Sequence, residues 1–411
     1  MNIYLLIIVV ALLLEYFLHT LSRFLDLKNL STELPSEFKD SYSQKEYTRS
    51  QEYLRANSRY SLLTSTCNLL IILLVIFLGL FNNLDLWIRG NDFSSIFSGL
   101  IFFGILFLLQ DIINTPFSLY QTFVIEEKFG FNKTSPRTYI LDKIKSYILI
   151  IVIGGLLLFL FLYVFDAFGD LAWLYAWLVI SAFLILIQPL FILIIAPMFN
   201  TFTPLEEGEL KKLITDFAKK TNFPINRIDV MDGSRRSSKA NAYFSGLGKN
   251  KRIALFDTLI ETHTADELLS IIAHEIGHYK MKHNIKGIML GVVQAGFMFY
   301  MLSLFLNNEQ LFSAFGMENL SVYASLLFFS ILYSPIDLCM SFVGNLISRY
   351  HEFEADAFAL NSIGTGRHLI DGLKKLTVSN LGNLTPHPLT VWLNYSHPTV
   401  LDRIHHLRDP D

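Results

Sequence analysis

The strongest chemical signal in the sequence is the pentapeptide 274–278, which reads His-Glu-Ile-Gly-His. On an α-helix, His274 and His278 lie one turn apart and about 40° apart around the axis, so both imidazoles can face one ion. Glu275 lies beside the first histidine and can reach a water molecule bound to that ion. This is the HExxH zinc pattern, in which the metal activates water and the glutamate accepts its proton.

The residues before the motif predict the helix that the motif needs. Thr264 and Glu267 form a T-x-x-E capping box, a helix start signal, before segment 268–283. On such a helix His283 would lie about 180° from His274 and could not share its ion. The alternative, an amphipathic helix with incidental surface histidines, leaves the match between motif and start signal to chance.

A catalytic zinc also needs a third protein ligand and an open position. The best candidates lie in segment 349–356, Arg-Tyr-His-Glu-Phe-Glu-Ala-Asp, where Glu352 and Asp356 are one helical turn apart. Glu352 would bind the metal, and Asp356 would accept a hydrogen bond from the free ring nitrogen of a ligand histidine. Spacing alone leaves His351 and Glu354 as rival ligands.

The composition places this site in a membrane protein. Of the 411 residues, 52% are hydrophobic and 17% are charged, whereas soluble domains carry about 25% charged residues. The net charge of −3 gives no electrostatic support for nucleic-acid binding. Seven apolar runs reach or approach the length of a transmembrane helix: 3–20, 62–81, 97–119, 146–165, 171–195, 288–305 and 322–343.

The loop charges predict how these runs are oriented. Lys and Arg are concentrated in the first and third loops, whereas the second has only Arg89 and the fourth and sixth have none. By the positive-inside rule, the odd-numbered loops and the C-terminus face the cytosol. The polar fifth loop carries the HExxH motif, so the site would be cytosolic. Its other predicted elements are a helix over 210–223, a β-type run over 227–232 and a hairpin of 240–245 with 251–256.

This pattern predicts four sections of chain. Residues 1–199 form a membrane domain of five helices, and 200–286 form a catalytic domain with the HExxH helix. Residues 287–347 supply helices six and seven, and 348–411 complete the catalytic domain with the third ligand. Three acids, Glu15, Asp111 and Asp337, lie within the apolar runs and either line a chamber or pair with another span.

Several segments together make the sequence similar to the CAAX prenyl protease 1 family of integral-membrane zinc metalloproteases. The resemblance extends over nearly the whole chain. Besides the HExxH motif, it rests on Phe129-Gly130-Phe131-Asn132, Ala196-Pro197-Met198-Phe199-Asn200, Asn241-Ala242-Tyr243-Phe244, Glu352-Phe353-x-Ala355-Asp356 and Tyr395-Ser396-His397-Pro398.

The resemblance implies a mainly α, polytopic membrane protein. Seven transmembrane helices would surround a water-filled chamber, with a small α+β zincin-like catalytic domain on the cytosolic side. One Zn²⁺ per chain would be held by His274, His278 and Glu352, with Glu275 as the catalytic glutamate and Asp356 orienting the site.

The resemblance also implies residues that contact the substrate. His397 would stabilise the oxyanion as a catalytic residue, and Arg403 would support the metal ligands from behind. Asn241, Ala242 and Tyr243 would bind a peptide as an added strand. The simpler alternatives are a helix-end histidine at position 397 and an ordinary hairpin edge.

The implied activity is hydrolysis of peptide bonds near the C-terminus of prenylated CaaX proteins. Two alternatives stay open: a membrane-protein quality-control protease without a prenyl requirement, and a transporter with a structural zinc. The expected partners are a peptide or prenylated protein substrate and the lipid bilayer, with no obligate protein partner. The expected location is the bacterial inner membrane in a prokaryote and the endoplasmic reticulum in a eukaryote.

Overall fold

Seven helices are long and apolar enough to cross a membrane, as the sequence predicts. The structure is a computed structural model that describes residues 2–31, 33–245 and 251–408. The helices are called spans 1 to 7 here: Ile3–Asn29, Gln44–Phe77, Ser95–Glu126, Pro136–Ala167, Gly169–Phe199, His283–Ser303 and Val322–Ile363.

Span 2 differs from the predicted run 62–81 at both ends. It begins at Gln44, where Ser43 and Glu46 form a capping box, so its first part lies outside the apolar run. It ends at Phe77 because Gly79 adopts a left-handed backbone conformation (φ 63°) that turns the chain. The next residues start a separate helix, α1 (Leu80–Arg89).

Span 7 extends far beyond its predicted apolar run, 322–343. It is a continuous helix of 42 residues, about 63 Å long at 1.5 Å per residue. It ends at Gly364, whose φ of 92° suits glycine. One helix therefore connects the membrane part with Glu352 and Asp356.

The sheet of the catalytic part has four strands in the order β1-β2-β4-β3. β2 and β4 are parallel, and the other two pairings are antiparallel. The predicted pairing of the hairpin strands is confirmed, while its turn, 246–250, lies outside the described residues. β1 was not predicted, because three residues carry no periodic signal. The strands are β1 (Phe202–Pro204), β2 (Ile225–Met231), β3 (Ala242–Ser245) and β4 (Lys251–Phe256).

Short helices complete the chain. The predicted helix over 210–223 is present but ends at Lys220, before Asn222 with its positive φ of 50°. These helices are α2 (Glu209–Lys220), α3 (Asp257–Thr262), α4 (Ala265–Lys280), α5 (Glu309–Ala314), α6 (Arg367–Ser379), α7 (Pro388–Asn394) and α8 (Val400–Arg408).

The core of the catalytic part surrounds α4. Leu268, Ile272 and Ile276 of α4 are almost fully buried, in one cluster with Ile253 and Leu255 of β4. The same cluster includes residues of span 7, α6 and α8. Burying an aliphatic side chain contributes about 1.5–3 kcal/mol, so this core fixes α4 relative to the other elements that carry the site.

The spans expose most of their apolar surface, as expected of helices that would face lipid. At most 17% of the residues in the most apolar stretch of any span are buried. Asp111 of span 3 forms a 2.8 Å ion pair with Lys143 of span 4, so it pairs between spans. Asp337 of span 7 is exposed and Glu15 is half-buried. The predicted fold class is confirmed: a mainly helical membrane protein with seven spans and a small sheet.

Candidate metal centre

The helix α4 presents the two motif histidines to span 7. Its capping box has the predicted form: the Thr264 side chain accepts from the backbone N–H of Glu267, and the Glu267 carboxylate accepts from that of Thr264. Gly277 permits a close approach of the two helices. A Cβ at this position would lie 3.0 Å from Cα and 3.1 Å from the carbonyl oxygen of Ala355 on span 7.

Three potential ligands converge between these helices. The Nε2 atoms of His274 and His278 are 3.1 Å apart. The Glu352 carboxylate lies 3.4 Å from the first of these nitrogens and 3.2 Å from the second. His274 and Glu352 are buried, and the His278 side chain is 19% exposed.

The donor set fits a zinc ion. A tetrahedral site with bonds of about 2.0–2.1 Å places its ligand atoms about 3.3 Å apart, close to the observed spacings. Glu352 Oε2 is buried and makes no hydrogen bond of good geometry among the described residues, with Nε2 of His274 at 3.4 Å and Nη1 of Arg403 at 3.5 Å. A buried carboxylate oxygen with incomplete hydrogen bonding is costly, and a cation would satisfy it.

Asp356 and Arg403 support the ligands from behind. Asp356 Oδ1 lies 2.8 Å from Nδ1 of His274, which turns Nε2 toward the other ligands. Arg403 of α8 donates to both oxygens of Asp356, at 2.6 and 2.8 Å. Burial lowers the pKa of Arg403, but Asp356 and Glu352 raise it above its ordinary value, so the guanidinium stays charged.

The same carboxylates act on His274. Burial and the charge of Arg403 lower the pKa of the imidazole, but hydrogen bonds to Asp356 and Glu352 outweigh them and raise it to about 9. An imidazole must be neutral to bind a metal ion. A metal ion at this site therefore displaces a proton from His274.

A cavity of about 340 Å³ opens beside the three ligands. It is lined by Glu275, Asn241, Ala242 and His397 as well as the ligands. His397 is 63% exposed, and its Nε2 lies 3.4 Å from Glu352. The Ser396 hydroxyl lies 2.9 Å from its Nδ1. Of the predicted catalytic and substrate residues, Glu275, His397, Asn241 and Ala242 thus line one cavity, whereas Asp356 lies behind the ligands.

One wall of this cavity is formed by Asn241 and by Ala242 of β3. An edge strand of this kind can pair with an extended peptide. β4 is the one neighbour of β3 in the described sheet, so the other edge of β3 is open. The side chain of Asn380 holds the start of the strand by accepting from the backbone N–H of Ala240 and donating to its carbonyl. Asn241 is exposed and Ala242 half-buried, while the side chain of Tyr243 lies outside the described residues.

The two rival ligands do not join the three converging residues. His351 and Glu354 form a separate group with His283, which the sequence analysis placed away from the metal. His283 does lie outside the group of His274, His278 and Glu352, but the predicted helix over 268–283 is wrong at its end, because α4 ends at Lys280 and Lys282 adopts a left-handed conformation (φ 59°). The chain then turns back, and His283 begins span 6 with its Nδ1 2.9 Å from Nδ1 of His278.

The structure therefore adds two residues to the site that sequence reasoning missed. His283 contacts a potential ligand directly, and Asn380 positions the open strand. Neither has a sequence signal of its own: His283 is hidden by a helix break at a lysine, and Asn380 acts across 140 residues.

A second cavity, of about 700 Å³, adjoins the site on the membrane side. It lies between spans 5, 6 and 7 and meets the first cavity at His278 and Asn284. Small-molecule sites are about 300–1,000 Å³ and mostly apolar. The apolar side chains around this cavity are Leu184, Ile187, Ile288, Leu290 and Ile347.

The chain is similar to several known proteins. Residues 23–201 match the family described as "CAAX prenyl protease N-terminal, five membrane helices", and residues 204–411 match peptidase family M48. The chain is 36% identical to CAAX prenyl protease 1 of Saccharomyces cerevisiae, over 91% of this chain and 88% of that protein. It is 38% identical to the homologue from Dictyostelium discoideum, with coverages of 92% and 89%.

The same similarity extends to the human protein and to a crystal structure. The human CAAX prenyl protease 1 homologue is 34% identical over 75% of this chain and 73% of its own length. The crystal structure of S. mikatae Ste24p superposes with a TM-score of 0.92 at 32% identity, covering 99% of each chain.

Proposed function

The chain belongs to the CAAX prenyl protease 1 family of membrane metallopeptidases, and from this premise we propose that it is a zinc endopeptidase for prenylated CaaX-type substrates. The protein is a multi-pass membrane metalloprotease. The observation that carries the finer proposal is the convergence of His274, His278 and Glu352 beside Glu275 and an apolar cavity. Because the chain belongs to a family of proteases, the alternative of a transporter with a structural zinc has no support.

The proposed mechanism assigns one task to each residue. His274, His278 and Glu352 would hold one zinc ion, which would supply Lewis acidity and lower the pKa of a water molecule into the neutral range. Glu275 accepts a proton from the attacking water and returns it to the leaving amine. His397 donates a hydrogen bond to the developing oxyanion, from its exposed position at the cavity.

The peptide is held by the open edge of β3. Main-chain hydrogen bonds to Asn241, Ala242 and Tyr243 keep it extended while tolerating different side chains. Because Asn380 fixes the backbone at Ala240, this edge is held in place before the substrate arrives. Asp356 and Arg403 keep the zinc ligands oriented during the reaction.

The apolar cavity supports a lipid-modified substrate. It opens between membrane spans and reaches His278, so a prenyl chain could remain in an apolar environment while the peptide reaches the zinc ligands. A quality-control protease would not need such a cavity next to the cleavage site.

The first experiment tests the reaction. The purified protein is assayed on a farnesylated CaaX peptide and on the same peptide without the lipid, with Glu275→Gln as the comparison. We expect cleavage of the farnesylated peptide, stoichiometric zinc in both proteins, and a rate at least about 100-fold lower in the variant. Full activity of Glu275→Gln would exclude the proposed general base.

The second experiment tests the substrate. Gly344 lines the apolar cavity, and a Cβ there would meet no heavy atom within 4 Å, so Gly344→Leu can fill the cavity without a clash at Cβ. Excluding about two methylenes of a prenyl chain at about 0.8 kcal/mol each should lower kcat/KM roughly tenfold for the farnesylated peptide alone.

The matched control is Gly104→Leu in span 3, where a Cβ also meets nothing within 4 Å. It should leave both substrates unaffected. Equal cleavage of lipidated and plain peptides by the wild type and Gly344→Leu would favour the quality-control alternative instead.

We also propose that the zinc site faces the cytosol, as the Lys and Arg distribution predicts. Endogenous Cys67 and Cys339 are replaced by serine, and a single cysteine is introduced at exposed Glu206 or at exposed Asn91. A membrane-impermeant maleimide added to sealed microsomes, whose outer face is cytosolic, should label position 206 and not position 91. The reverse pattern would overturn the orientation.

A further inference from the structure

One side of the metal centre has a hydrogen-bonded chain that the mechanism above does not use. Nδ1 of His278 lies 2.9 Å from Nδ1 of His283, and Nε2 of His283 lies 3.0 Å from Oε2 of Glu354. His283 is buried, whereas Glu354 is 28% exposed. We propose that His283 and Glu354 are positioning residues that fix the ring and tautomer of His278 for zinc.

The direction of each hydrogen bond follows from the metal site. If Nε2 of His278 binds zinc, its lone pair is used there and its proton lies on Nδ1. That N–H must donate, so Nδ1 of His283 accepts. The proton of His283 is then on Nε2 and donates to Glu354. Every donor in the chain has an acceptor, and the chain ends on a carboxylate.

This arrangement complements the support of the other ligand histidine. Nδ1 of His274 contacts the carboxylate of Asp356 directly, whereas Nδ1 of His278 reaches a carboxylate through one further imidazole. Both zinc histidines are thereby held by an acid behind them, the usual device for raising ligand basicity.

A second metal ion is the competing explanation of the same cluster. His283, His351 and Glu354 each offer a ligand atom within 4.8 Å of the others. However, the rings of His283 and His351 are stacked, with centroids 3.9 Å apart and planes inclined by 12°. Lone pairs of imidazole nitrogens lie in the ring plane, and nearly parallel planes cannot both contain one ion. The stacking therefore favours His351 as a packing partner of His283.

The relay rests on the zinc site proposed above, so its test measures zinc affinity directly. The variants are His283→Phe, which keeps the ring stack, Glu354→Leu, which removes the terminal acceptor, and Glu354→Gln, which keeps an acceptor oxygen. His351→Phe is the matched control, because it preserves the stack without touching the hydrogen bonds. Zinc affinity is measured by chelator competition and the stability of the zinc-depleted proteins by thermal unfolding.

We expect about a 10–100-fold loss of zinc affinity in His283→Phe and Glu354→Leu, with recovery in Glu354→Gln and no change in His351→Phe. Selective ¹⁵N labelling of histidine should show loss of the single tautomer of His278 in His283→Phe. The melting temperatures of the zinc-depleted proteins should match within error.

Three results would overturn the relay. Zinc affinity in His283→Phe within twofold of wild type is the first. A second equivalent of zinc in the wild type that disappears in both His351→Phe and Glu354→Leu would assign the cluster to metal binding. Absence of stoichiometric zinc from the wild type would overturn the proposed function itself, and the relay with it.

Discussion

The space around two glycines differs between the ligand region of this protein and the cavity between its spans. A Cβ at Gly277 of α4 would meet the backbone of Ala355 at 3.0 Å, whereas one at Gly344 would meet nothing within 4 Å. Span 7 takes part in both environments, because it packs against Gly277 and carries Gly344 itself. The spans also contain close contacts, since a Cβ at Gly99 of span 3 would meet Leu162 at 2.7 Å. The contrast along span 7 therefore shows that the helix is closely packed beside the ligands and leaves space beside the cavity.

The electrostatics differ in the same way. Around the ligands, Asp356 and Arg403 are buried and fully paired. In the membrane part, Asp111 and Lys143 pair at a half-exposed position beside a cavity of about 400 Å³. Buried charges need complete pairing, so the catalytic part tolerates fewer changes than the spans do.

The largest expected effect comes from Glu352, compared with Asp337, another acid of span 7. Glu352→Ala removes a converging ligand and should lower zinc affinity by more than about 100-fold, beyond the effect of losing an outer contact. Asp337→Asn changes an exposed acid on the same helix and should leave zinc affinity unchanged. Metal content is measured after dialysis against chelator; equal retention by both variants would remove Glu352 from the ligand set.

The glycines give the next prediction. Gly277→Ala should destabilise the protein by about 1–3 kcal/mol, because the new methyl group forces α4 away from Ala355. Gly344→Ala should be neutral or stabilising by up to about 1 kcal/mol, since alanine favours helix and meets no neighbour. Thermal unfolding in detergent compares them. Equal melting temperatures would contradict the packing contrast.

The raised pKa of His274, about 9, predicts how zinc binding depends on pH. Below that value the imidazole is protonated, so zinc must displace a proton and its affinity should fall about tenfold per pH unit. Above it the dependence should flatten. Chelator competition from pH 6.5 to 9.5 gives the slope, with Glu275→Gln as a control that should show the same profile. A flat curve would exclude proton displacement.

The smallest effect concerns the cap of α4. Burial raises the pKa of Glu267, but Lys375 and the N–H of Thr264 outweigh it and lower the pKa below its ordinary value. The ionised form therefore stabilises the fold at neutral pH, and this contribution disappears as pH falls through the folded-state pKa. Lys375→Met should cost less than about 1 kcal/mol at pH 7 and progressively less in acid.

The control is an ion pair on α6, the helix that carries Lys375. Arg367 and Asp371 are 3.8 Å apart and both exposed, so Arg367→Met should have no measurable effect on the melting temperature at any pH. A loss in Arg367→Met as large as that in Lys375→Met would mean that general surface charge, not the cap, is responsible.

The sequence predicts the parts of this fold that depend on local pattern. Seven apolar runs and the T-x-x-E box are local, and both are present. The length of span 7 does not follow from local pattern, because its helix continues past residue 343 through polar sequence that carries no hydropathy signal. The helix break at Lys282 is equally hidden, since a lysine with a positive φ has no sequence signature.

The candidate site divides along the same line. The HExxH spacing identifies His274 and His278 on its own, because one helix holds both. The choice of Glu352 over His351 and Glu354 needed the family resemblance. All three side chains can bind a metal, and they differ only in the side of the helix from which they project. His283 contacts His278 only because the chain turns at Lys282. Asn380 binds Ala240, which is 140 residues away in the sequence. Neither contact follows from residue spacing.

The length of span 7 has a mechanical consequence. Glu352 lies about 28 Å along the helix axis from Tyr333, which is buried within the bundle. Pro335 lies two residues beyond Tyr333 and removes one backbone hydrogen bond of the helix. A bend of about 2° at this point would move the carboxylate by about 1 Å, and displacements of that size can cost about 100-fold in rate. Since helices adjust their tilt to the thickness of the bilayer, the surrounding lipid should influence the position of Glu352 relative to His274 and His278.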